Sequence, residues 1–256
     1  MCELLGMSAN VPTDICFSFT GLTRRAGKTG PHVDGWGITF YDGKGCRSFK
    51  DTLPASESTI AKFIQNYPIK SCAVISHIRQ ANVGSVALEN THPFTRELWG
   101  REWTFAHNGQ LEGSEGLEFR FFQPVGDTDS ERAFCWLLKQ LHEQYPQAPD
   151  NFRNIFDTLV DSCHRLRGMG VFNILLTDGE YVFAYCSNNL HWITRCAPFG
   201  EARLIDEEMR VDFYQETTPN DIVTVIATQP LTDDEAWQKM QEGEARLFRF
   251  GQLVEF

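Results

Sequence analysis

Residues 152–187 read FRNIFDTLVDSCHRLRGMGVFNILLTDGEYVFAYCS, and this stretch decides the fold class. Its first half spaces apolar side chains three and four residues apart, which predicts an amphipathic helix from about Phe152 to Arg167. Its second half holds two apolar runs, Val171–Leu176 and Tyr181–Ser187, joined through Asp178–Gly179. Asp-Gly between two such runs is typical of a hairpin, so neighbouring strands are expected to pair antiparallel.

The same kinds of element continue on both sides of this stretch. A helix is predicted just upstream, from about Ser130 to Glu143, and a shorter one over Ser56–Tyr67. Asn10–Thr13 is typical of a helix start, because Pro12 falls in the first turn. The remaining apolar runs predict strands at Cys2–Met7, Gly35–Tyr41, Cys46–Leu53, Ala73–Ile78, Trp103–Ala106, His191–Cys196, Ile222–Ala227 and Ala245–Val254.

The element order is strands, helix, strands, two helices, strands. Hairpins between neighbouring strands indicate antiparallel sheets rather than parallel strands with crossover helices. The sequence therefore predicts an α+β fold, a four-layer α-β-β-α sandwich of two antiparallel sheets. No repeat or Pro/Gly/Ser-rich linker divides the chain, so residues 1–256 are expected to form a single domain.

Composition excludes several classes of function. The 256 residues are 42% hydrophobic, as in globular proteins. Acidic residues outnumber basic ones, 34 to 23, which argues against a nucleic-acid partner. No run approaches the roughly 18 apolar residues of a membrane helix. The first twenty residues include Glu3 and Asp14 and lack the basic cluster of a signal peptide, so we expect a cytoplasmic protein with no membrane partner.

The eight cysteines do not form a disulfide or metal pattern, since no two have the C-x-x-C spacing. Six or seven of them are expected to be small core residues. Cys2 differs because removal of Met1 would leave a thiol and a free α-amine on one residue. An α-amine with a pKa of roughly 7.7–8.0 can take the thiol proton, so no histidine is needed as base. The structural alternative is that Cys2 simply starts a strand.

Two further segments carry charges where an apolar run ends or a helix begins. Residues 76–84, SHIRQANVG, place Arg79 at a strand end, where it could bind a carboxylate through two parallel hydrogen bonds or form a surface salt bridge. Residues 126–131, GDTDSE, open a helix, and Thr128 or Ser130 suits its N-cap. Asp129 could then face a pocket and bind an ammonium group.

In residues 105–109, FAHNG, Asn108 and Gly109 come directly after a predicted strand. Asn-Gly at such a place is often only a turn. The chemical alternative is an oxyanion hole, in which the Asn108 side-chain NH₂ and the Gly109 backbone N–H converge on one developing negative charge.

Taken in order, these segments resemble class II glutamine amidotransferases of the N-terminal nucleophile (Ntn) hydrolase type. The resemblance covers about residues 1–135 and implies the Ntn-hydrolase fold. It implies that Cys2 is the nucleophile with its own amine as base, and that Asn108 and Gly109 form the oxyanion hole. It also implies that Arg79 holds the α-carboxylate of the substrate and Asp129 its α-ammonium. No cofactor or metal is implied.

The chain departs from the family pattern in two places. Gln80, Asn82 and Val83 replace the Trp, Thr and His that many members have after the arginine. Residues 31–37, PHVDGWG, keep only an Asp-x-x-Gly frame, so Asp34 is interpreted as a turn residue. Residues 89–94, ENTHPF, are similar to the stand-alone YafJ-like members. The expected substrate is glutamine or another small γ-glutamyl amide, with a separate synthase or peptidase subunit as a partner or none, and the oligomeric state open.

Two other hypotheses compete with hydrolysis. A metalloenzyme could use His32, His77, His92 and His107, although no H-x-H or H-x-x-x-H spacing supports it. A non-catalytic binding or regulatory subunit could have kept the fold, since the loop after Arg79 is altered. The retained Cys2, Asn108 and Asp129 favour the enzyme over this second alternative.

Overall fold

The computed structural model describes residues 2–81, 84–213 and 218–255. Within these ranges the chain forms four α-helices, namely α1 (Cys16–Arg25), α2 (Thr59–Asn66), α3 (Asp129–Gln144) and α4 (Phe152–Arg167). Its strands in the same ranges are β1 (Glu3–Thr13), β2 (Trp36–Asp42), β3 (Gly45–Asp51), β4 (Ser71–Ile78), β5 (Phe94–Leu98), β6 (Arg101–Leu111), β7 (Gly170–Thr177), β8 (Tyr181–Tyr185), β9 (His191–Cys196), β10 (Glu201–Arg203), β11 (Arg210–Asp212), β12 (Ile222–Ala227), β13 (Gln238–Lys239), β14 (Ala245–Arg249) and β15 (Gln252–Leu253).

Two large sheets organise these strands. One has seven strands in the order β13-β9-β12-β1-β4-β2-β3, and the other has six in the order β15-β14-β8-β7-β6-β5. Neighbours in both sheets pair antiparallel, including the predicted hairpin of β7 and β8. Strands β10 and β11 form a separate small hairpin.

Three apolar clusters define the layers. The first packs α1 and α2 on the outer face of the seven-stranded sheet, and the second packs α3 and α4 on the outer face of the six-stranded sheet. The third lies between the sheets, where Leu4 and Ile75 of one sheet join Leu175 and Ala184 of the other. The predicted α-β-β-α sandwich is therefore confirmed. In the second cluster, the rings of Phe105 and Phe134 stack with centroids 5.0 Å apart.

The predicted helix start at Asn10–Thr13 is wrong, because β1 continues through these residues. The Asn10 side chain accepts the Ile222 N–H at 2.8 Å and donates to the Asn220 carbonyl at 2.7 Å, which ties it to β12. An irregular register against β4 between Ser8 and Thr13 accommodates the proline. Helix α1 begins later, where Asp14 Oδ1 accepts the Cys16 N–H at 3.1 Å.

Strand β1 lies between β4 and β12, and it positions Cys2 at its beginning. Side chains alternate along a strand, so Cys2 faces the same side as Leu4, toward the space between the sheets. Glu3 faces the helical side, where its carboxylate accepts a hydrogen bond from Arg25 Nη1 at 2.8 Å. The start of β1 is thus held on both faces.

Two further expectations can be compared with the described residues. All eight cysteines are unpaired, but Cys196 is exposed and Cys16, Cys46 and Cys72 are only half-buried, so the expectation that nearly all are core residues is wrong. Among the described residues, no helix is long and apolar enough to cross a membrane.

Candidate active site

A small cavity opens where the two sheets meet, and four of the five predicted site residues line it. Cys2, Arg79, Gly109 and Asp129 all contribute to its wall. Asn108 is not among the lining residues, because strand alternation places its side chain on the same face of β6 as Ala106, toward the space between the sheets that Cys2 also faces. The cavity measures about 30 Å³, far below the roughly 300 Å³ at which ordinary ligand pockets begin. A glutamyl group therefore requires wall side chains to move.

Cys2 is held by the backbone of Gln80. Its Sγ accepts the Gln80 N–H at 3.3 Å and lies 3.5 Å from the Gln80 carbonyl oxygen. Burial raises the pKa of the Cys2 thiol above its ordinary value, outweighing the lowering by the Gln80 N–H and the Arg79 charge. A thiol of raised pKa is protonated near neutral pH, so it needs a base before it can act as a nucleophile.

Arg79 follows β4 and is fixed by its own backbone. Its N–H donates to the Gly35 carbonyl at 2.8 Å, and its carbonyl accepts the Asp34 N–H at 3.1 Å. The guanidinium donates to the carbonyls of Ser85 at 2.9 Å and Gly84 at 3.4 Å. Arg79 thus lines the cavity while its donors engage the loop that follows it.

Asp34, interpreted from the sequence as a turn residue, forms hydrogen bonds to the backbone of the segment that begins at Arg79. Its carboxylate accepts the Ala81 N–H at 2.7 Å, and its own N–H bonds to Arg79. These two bonds fix the chain on either side of Gln80, the residue that contacts the Cys2 thiol. Asp34 therefore acts on the site through the backbone.

Asp129 combines a helix-end role with a place in the cavity wall. Thr128 is the N-cap of α3, and its Oγ1 accepts the Glu131 N–H at 3.2 Å. Asp129 is then free of the capping role. Its Oδ2 accepts the Leu111 N–H at 2.7 Å and its Oδ1 accepts the Ser130 N–H at 2.9 Å. The carboxylate thereby joins the start of α3 to the end of β6.

Gly109 occupies a position where the backbone leaves no room for a side chain. A Cβ built there would lie 1.8 Å from the Val171 carbonyl oxygen on β7 and 2.6 Å from His107 Nε2. Atoms cannot approach so closely, so only glycine is compatible with this pairing of β6 and β7.

The Asn108 side chain lies in a polar cluster that the sequence did not predict. Its Nδ2 donates to Thr228 Oγ1 at 3.3 Å, whereas its Oδ1 is buried with no partner among the described residues. Asn173, directly opposite on β7, donates from Nδ2 to the Asn108 carbonyl at 3.0 Å. The Asn173 Oδ1 accepts three successive backbone N–H groups, those of residues 187–189.

The YafJ-like segment at residues 89–94 is joined to the start of α3 through Asn90. The Asn90 Oδ1 accepts the Asp127 N–H at 3.0 Å, and its Nδ2 donates to the Asp127 carboxylate at 2.7 Å and to the Ser85 carbonyl at 3.1 Å. Asn90 thus connects the Asp129 side of the cavity with the loop that holds the Arg79 guanidinium.

Two buried histidines, His92 and His107, line the cavity, and a third, His77, contacts both of them. His77 Nε2 donates to the His107 carbonyl at 3.1 Å, and the rings of His77 and His92 pack at a tilt of 30° with centroids 4.2 Å apart. Burial lowers the pKa of His77 to about 3. Burial also lowers the pKa of His92 well below its ordinary value, with His77 as the next cause. His107 contacts Ser130 Oγ through Nδ1 at 2.8 Å.

The fourth histidine of the metalloenzyme hypothesis lies elsewhere, with His32 Nδ1 3.0 Å from the Arg25 carbonyl oxygen. Within residues 2–81, 84–213 and 218–255, no group of three or more His, Cys, Asp or Glu side chains is placed to hold a metal ion.

Comparison with known proteins identifies the family. The sequence profile of the class-II glutamine amidotransferases matches residues 1–256. YafJ of Escherichia coli (strain K12), itself a candidate glutamine amidotransferase, is 66% identical over 254 residues, covering 99% of this chain and 100% of YafJ.

Solved structures agree with the sequence comparison. A protein described as a predicted glutamine amidotransferase from Pseudomonas aeruginosa PA01 superposes with a TM-score of 0.80 at 51% identity, covering 100% of both chains. The glutamine phosphoribosylpyrophosphate amidotransferase of B. subtilis superposes with a TM-score of 0.66 at 15% identity over 99% of this chain and 48% of its own, which shows a shared fold. The chain therefore belongs to the class-II glutamine amidotransferases, as the order of its motifs predicted.

Proposed function

We propose that this chain hydrolyses glutamine or another γ-glutamyl amide through a thioester on Cys2, once Met1 has been removed. The observation that carries this proposal is the shared cavity. Cys2, Arg79, Gly109 and Asp129 come from four distant segments, yet all four line one cavity. Met1 itself lies outside the described residues. The 256 residues are proposed to act as one domain, without a cofactor.

The chemistry begins with the thiol proton, which the free α-amine of Cys2 accepts. The thiolate attacks the amide carbonyl carbon, and the resulting oxyanion accepts hydrogen bonds from the Gly109 N–H and the Asn108 side-chain NH₂. The α-ammonium then protonates the leaving nitrogen, and ammonia or an amine departs. A water molecule, deprotonated by the amine, attacks the thioester and releases glutamate and the free thiol.

Substrate orientation depends on the two charges at the far end of the glutamyl group. Arg79 is proposed to bind the α-carboxylate, exchanging its bonds to the carbonyls of Gly84 and Ser85 for bonds to the substrate. Asp129 is proposed to bind the α-ammonium while keeping its backbone bond from Leu111. This exchange at Arg79 also supplies the movement that the small cavity requires.

The acceptor of the released nitrogen is proposed to be water or a separate synthase, and the leaving group is proposed to be ammonia or an amine of a small metabolite or peptide. The proposed partner, where one takes part, is that separate synthase or a peptidase subunit.

The test combines mass, labelling and turnover on the purified full chain. Intact mass should show loss of one methionine, and a glutamine-like diazo-ketone should label Cys2. The processed protein should release glutamate from glutamine or a panel of γ-glutamyl amides, and Cys2→Ala should abolish release and labelling. Cys196→Ala is the matched control, because that thiol is exposed. A Cys2→Ala protein as active as wild type would overturn the proposal, and a processed wild type inert toward both probe and panel would favour the non-catalytic subunit.

A further inference from the structure

Thr228 follows β12 at the end of the inter-sheet space, and all of its polar groups are engaged. Its N–H donates to the Leu4 carbonyl at 3.1 Å, and its carbonyl oxygen lies 3.0 Å from His191 Nδ1. Its Oγ1 accepts the Leu4 N–H at 3.0 Å. The residue is nearly buried, with 6% of its surface exposed. Thr228 is therefore fixed against β1, two residues beyond Cys2.

The Thr228 hydroxyl also contacts Asn108. In this arrangement one hydrogen-bond donor and one acceptor have no partner among the described residues. As described, Oγ1 accepts both the Leu4 N–H and the Asn108 Nδ2–H, so the hydroxyl hydrogen is unused. The Asn108 Oδ1 is buried without a partner among the described residues. The Nδ2–Oγ1 distance of 3.3 Å is also long for an N–H···O hydrogen bond.

Rotating the Asn108 side-chain amide by half a turn gives the unused hydroxyl hydrogen of Thr228 an acceptor. The two ends of an asparagine amide have nearly the same shape, so their hydrogen-bond partners decide which end faces which neighbour. Because Oγ1 already accepts from Leu4, its hydrogen can donate to Asn108 Oδ1. The group left without a protein partner is then the NH₂, a buried donor, which is what a developing oxyanion requires.

We propose that Thr228 is the positioning residue of this site: it accepts the Leu4 N–H, donates its hydroxyl hydrogen to Asn108 Oδ1, and so presents the Asn108 NH₂ to the oxyanion. The catalytic part of this inference, in which the Asn108 NH₂ meets the oxyanion, rests on the proposed function. One hydroxyl thereby links the strand of the nucleophile to the asparagine that stabilises the transition state.

The kinetic test compares Thr228→Val, which keeps the shape and removes the hydroxyl, with Thr228→Ser, which keeps the hydroxyl. T228V should lower kcat by about tenfold to a hundredfold, less than the ~10²–10³ lost with a whole oxyanion donor, and should leave KM nearly unchanged. T228S should recover most of that loss. Thr224→Val is the matched control, because Thr224 is a buried threonine of β12, four residues before Thr228, whose hydroxyl donates to the Gly251 carbonyl at 2.8 Å. T224V should keep the wild-type kcat.

A double mutant separates positioning from general support. If Thr228 acts through Asn108, T228V should not slow the Asn108→Ala enzyme further. If T228V slows that enzyme by the same factor as wild type, or if T228V has the kcat of T224V, the positioning role is overturned.

A readout independent of turnover distinguishes this inference from the proposed function. In ¹⁵N-labelled full-length protein, the Asn108 side-chain amide signals, assigned through N108A, should shift in T228V and stay near their wild-type position in T228S. Unchanged signals in T228V would overturn the contact whether or not the protein is a glutaminase. An inactive wild type with the expected shifts would overturn the proposed function and the catalytic part of the inference, leaving the contact supported.

Discussion

The Arg25 guanidinium lies 2.8 Å from the carboxylate of Glu3, the residue directly after Cys2. The same guanidinium is 2.6 Å from Asp206, and its Nη2 donates to the Pro230 carbonyl at 2.6 Å. The Arg25 side chain is only 8% exposed. One buried cation therefore ties the start of β1 to the segments after β10 and β12.

Arg25→Ala is expected to destabilise the protein by about 3–5 kcal/mol, because it leaves two carboxylates buried without their cation. Urea unfolding followed by circular dichroism measures the loss. Arg203→Ala is the control, since its ion pair with Asp233 is exposed to solvent and is expected to contribute little to stability. Equal effects of the two substitutions would show that the Arg25 network does not hold the strand.

Arg79→Ala and Asn108→Ala are expected to change different kinetic parameters. Loss of the Arg79 charge should raise KM for a γ-glutamyl substrate by about tenfold to a hundredfold, because charged hydrogen bonds to the carboxylate disappear. Loss of the Asn108 amide should lower kcat by ~10²–10³, because its interaction strengthens in the transition state. Steady-state kinetics on the processed proteins measures both, and equal small effects on KM and kcat would refute the assigned roles.

Asn90→Ala should destabilise the protein by about 1–3 kcal/mol, because the buried Asn90 side chain would no longer make its hydrogen bonds to Asp127 and Ser85. It should also raise KM more than it lowers kcat, since Asn90 joins the Arg79 loop to the start of α3. Asn66→Ala is the control, because the Asn66 side chain bonds only at an exposed position to the Lys62 carbonyl. Thermal unfolding and kinetics on both variants check the result. An unaltered KM in N90A would show that this link does not reach the substrate.

The buried histidines should make the free energy of unfolding decrease as the pH is lowered. His77 is neutral in the folded protein down to a pKa of about 3, whereas in the unfolded chain it protonates near 6.5. Between these values the unfolded state binds more protons, so stability is fully present above pH 6.5 and decreases as pH falls. Each such histidine contributes a slope of up to ~1.4 kcal/mol per pH unit.

His77→Gln should therefore flatten the dependence of unfolding free energy on pH between about 6 and 4. Urea unfolding of wild type and variant at several pH values in this range gives the two slopes. His142→Gln is the control, because His142 lies at the end of α3 away from the cavity. A variant slope as steep as that of wild type would show that His77 is not kept neutral by the fold.

The local pattern of apolar residues predicted those helices and strands whose packing contacts lie along one face of the element. Helix α4 begins and ends at the predicted Phe152 and Arg167, because its apolar stripe covers the whole length. The start of α1 was predicted six residues too early, at Asn10 instead of Cys16. Asn10 bonds to β12, more than two hundred residues away along the chain, and no local pattern encodes such a partner.

The same distinction holds for the site. The motif order predicted a site of five residues, and the structure places four of them on one cavity. Asn108, the fifth, is not among the lining residues. Thr228 was not predicted, because its bond to Asn108 joins residues 120 positions apart and a lone threonine after a strand carries no distinguishing signal. Asn90 lay inside a segment noted only for its resemblance to YafJ-like members.

The lack of room at Gly109 has a consequence for how this enzyme can diversify. Any heavier residue there would collide with the Val171 carbonyl, so that part of the wall is closed to mutation. The next residue, Gln110, also lines the cavity but is exposed to solvent, and Gln80 is another of its lining residues. Under the proposed function, evolution or a directed library can therefore vary the choice of leaving group at these two glutamines without changing Gly109.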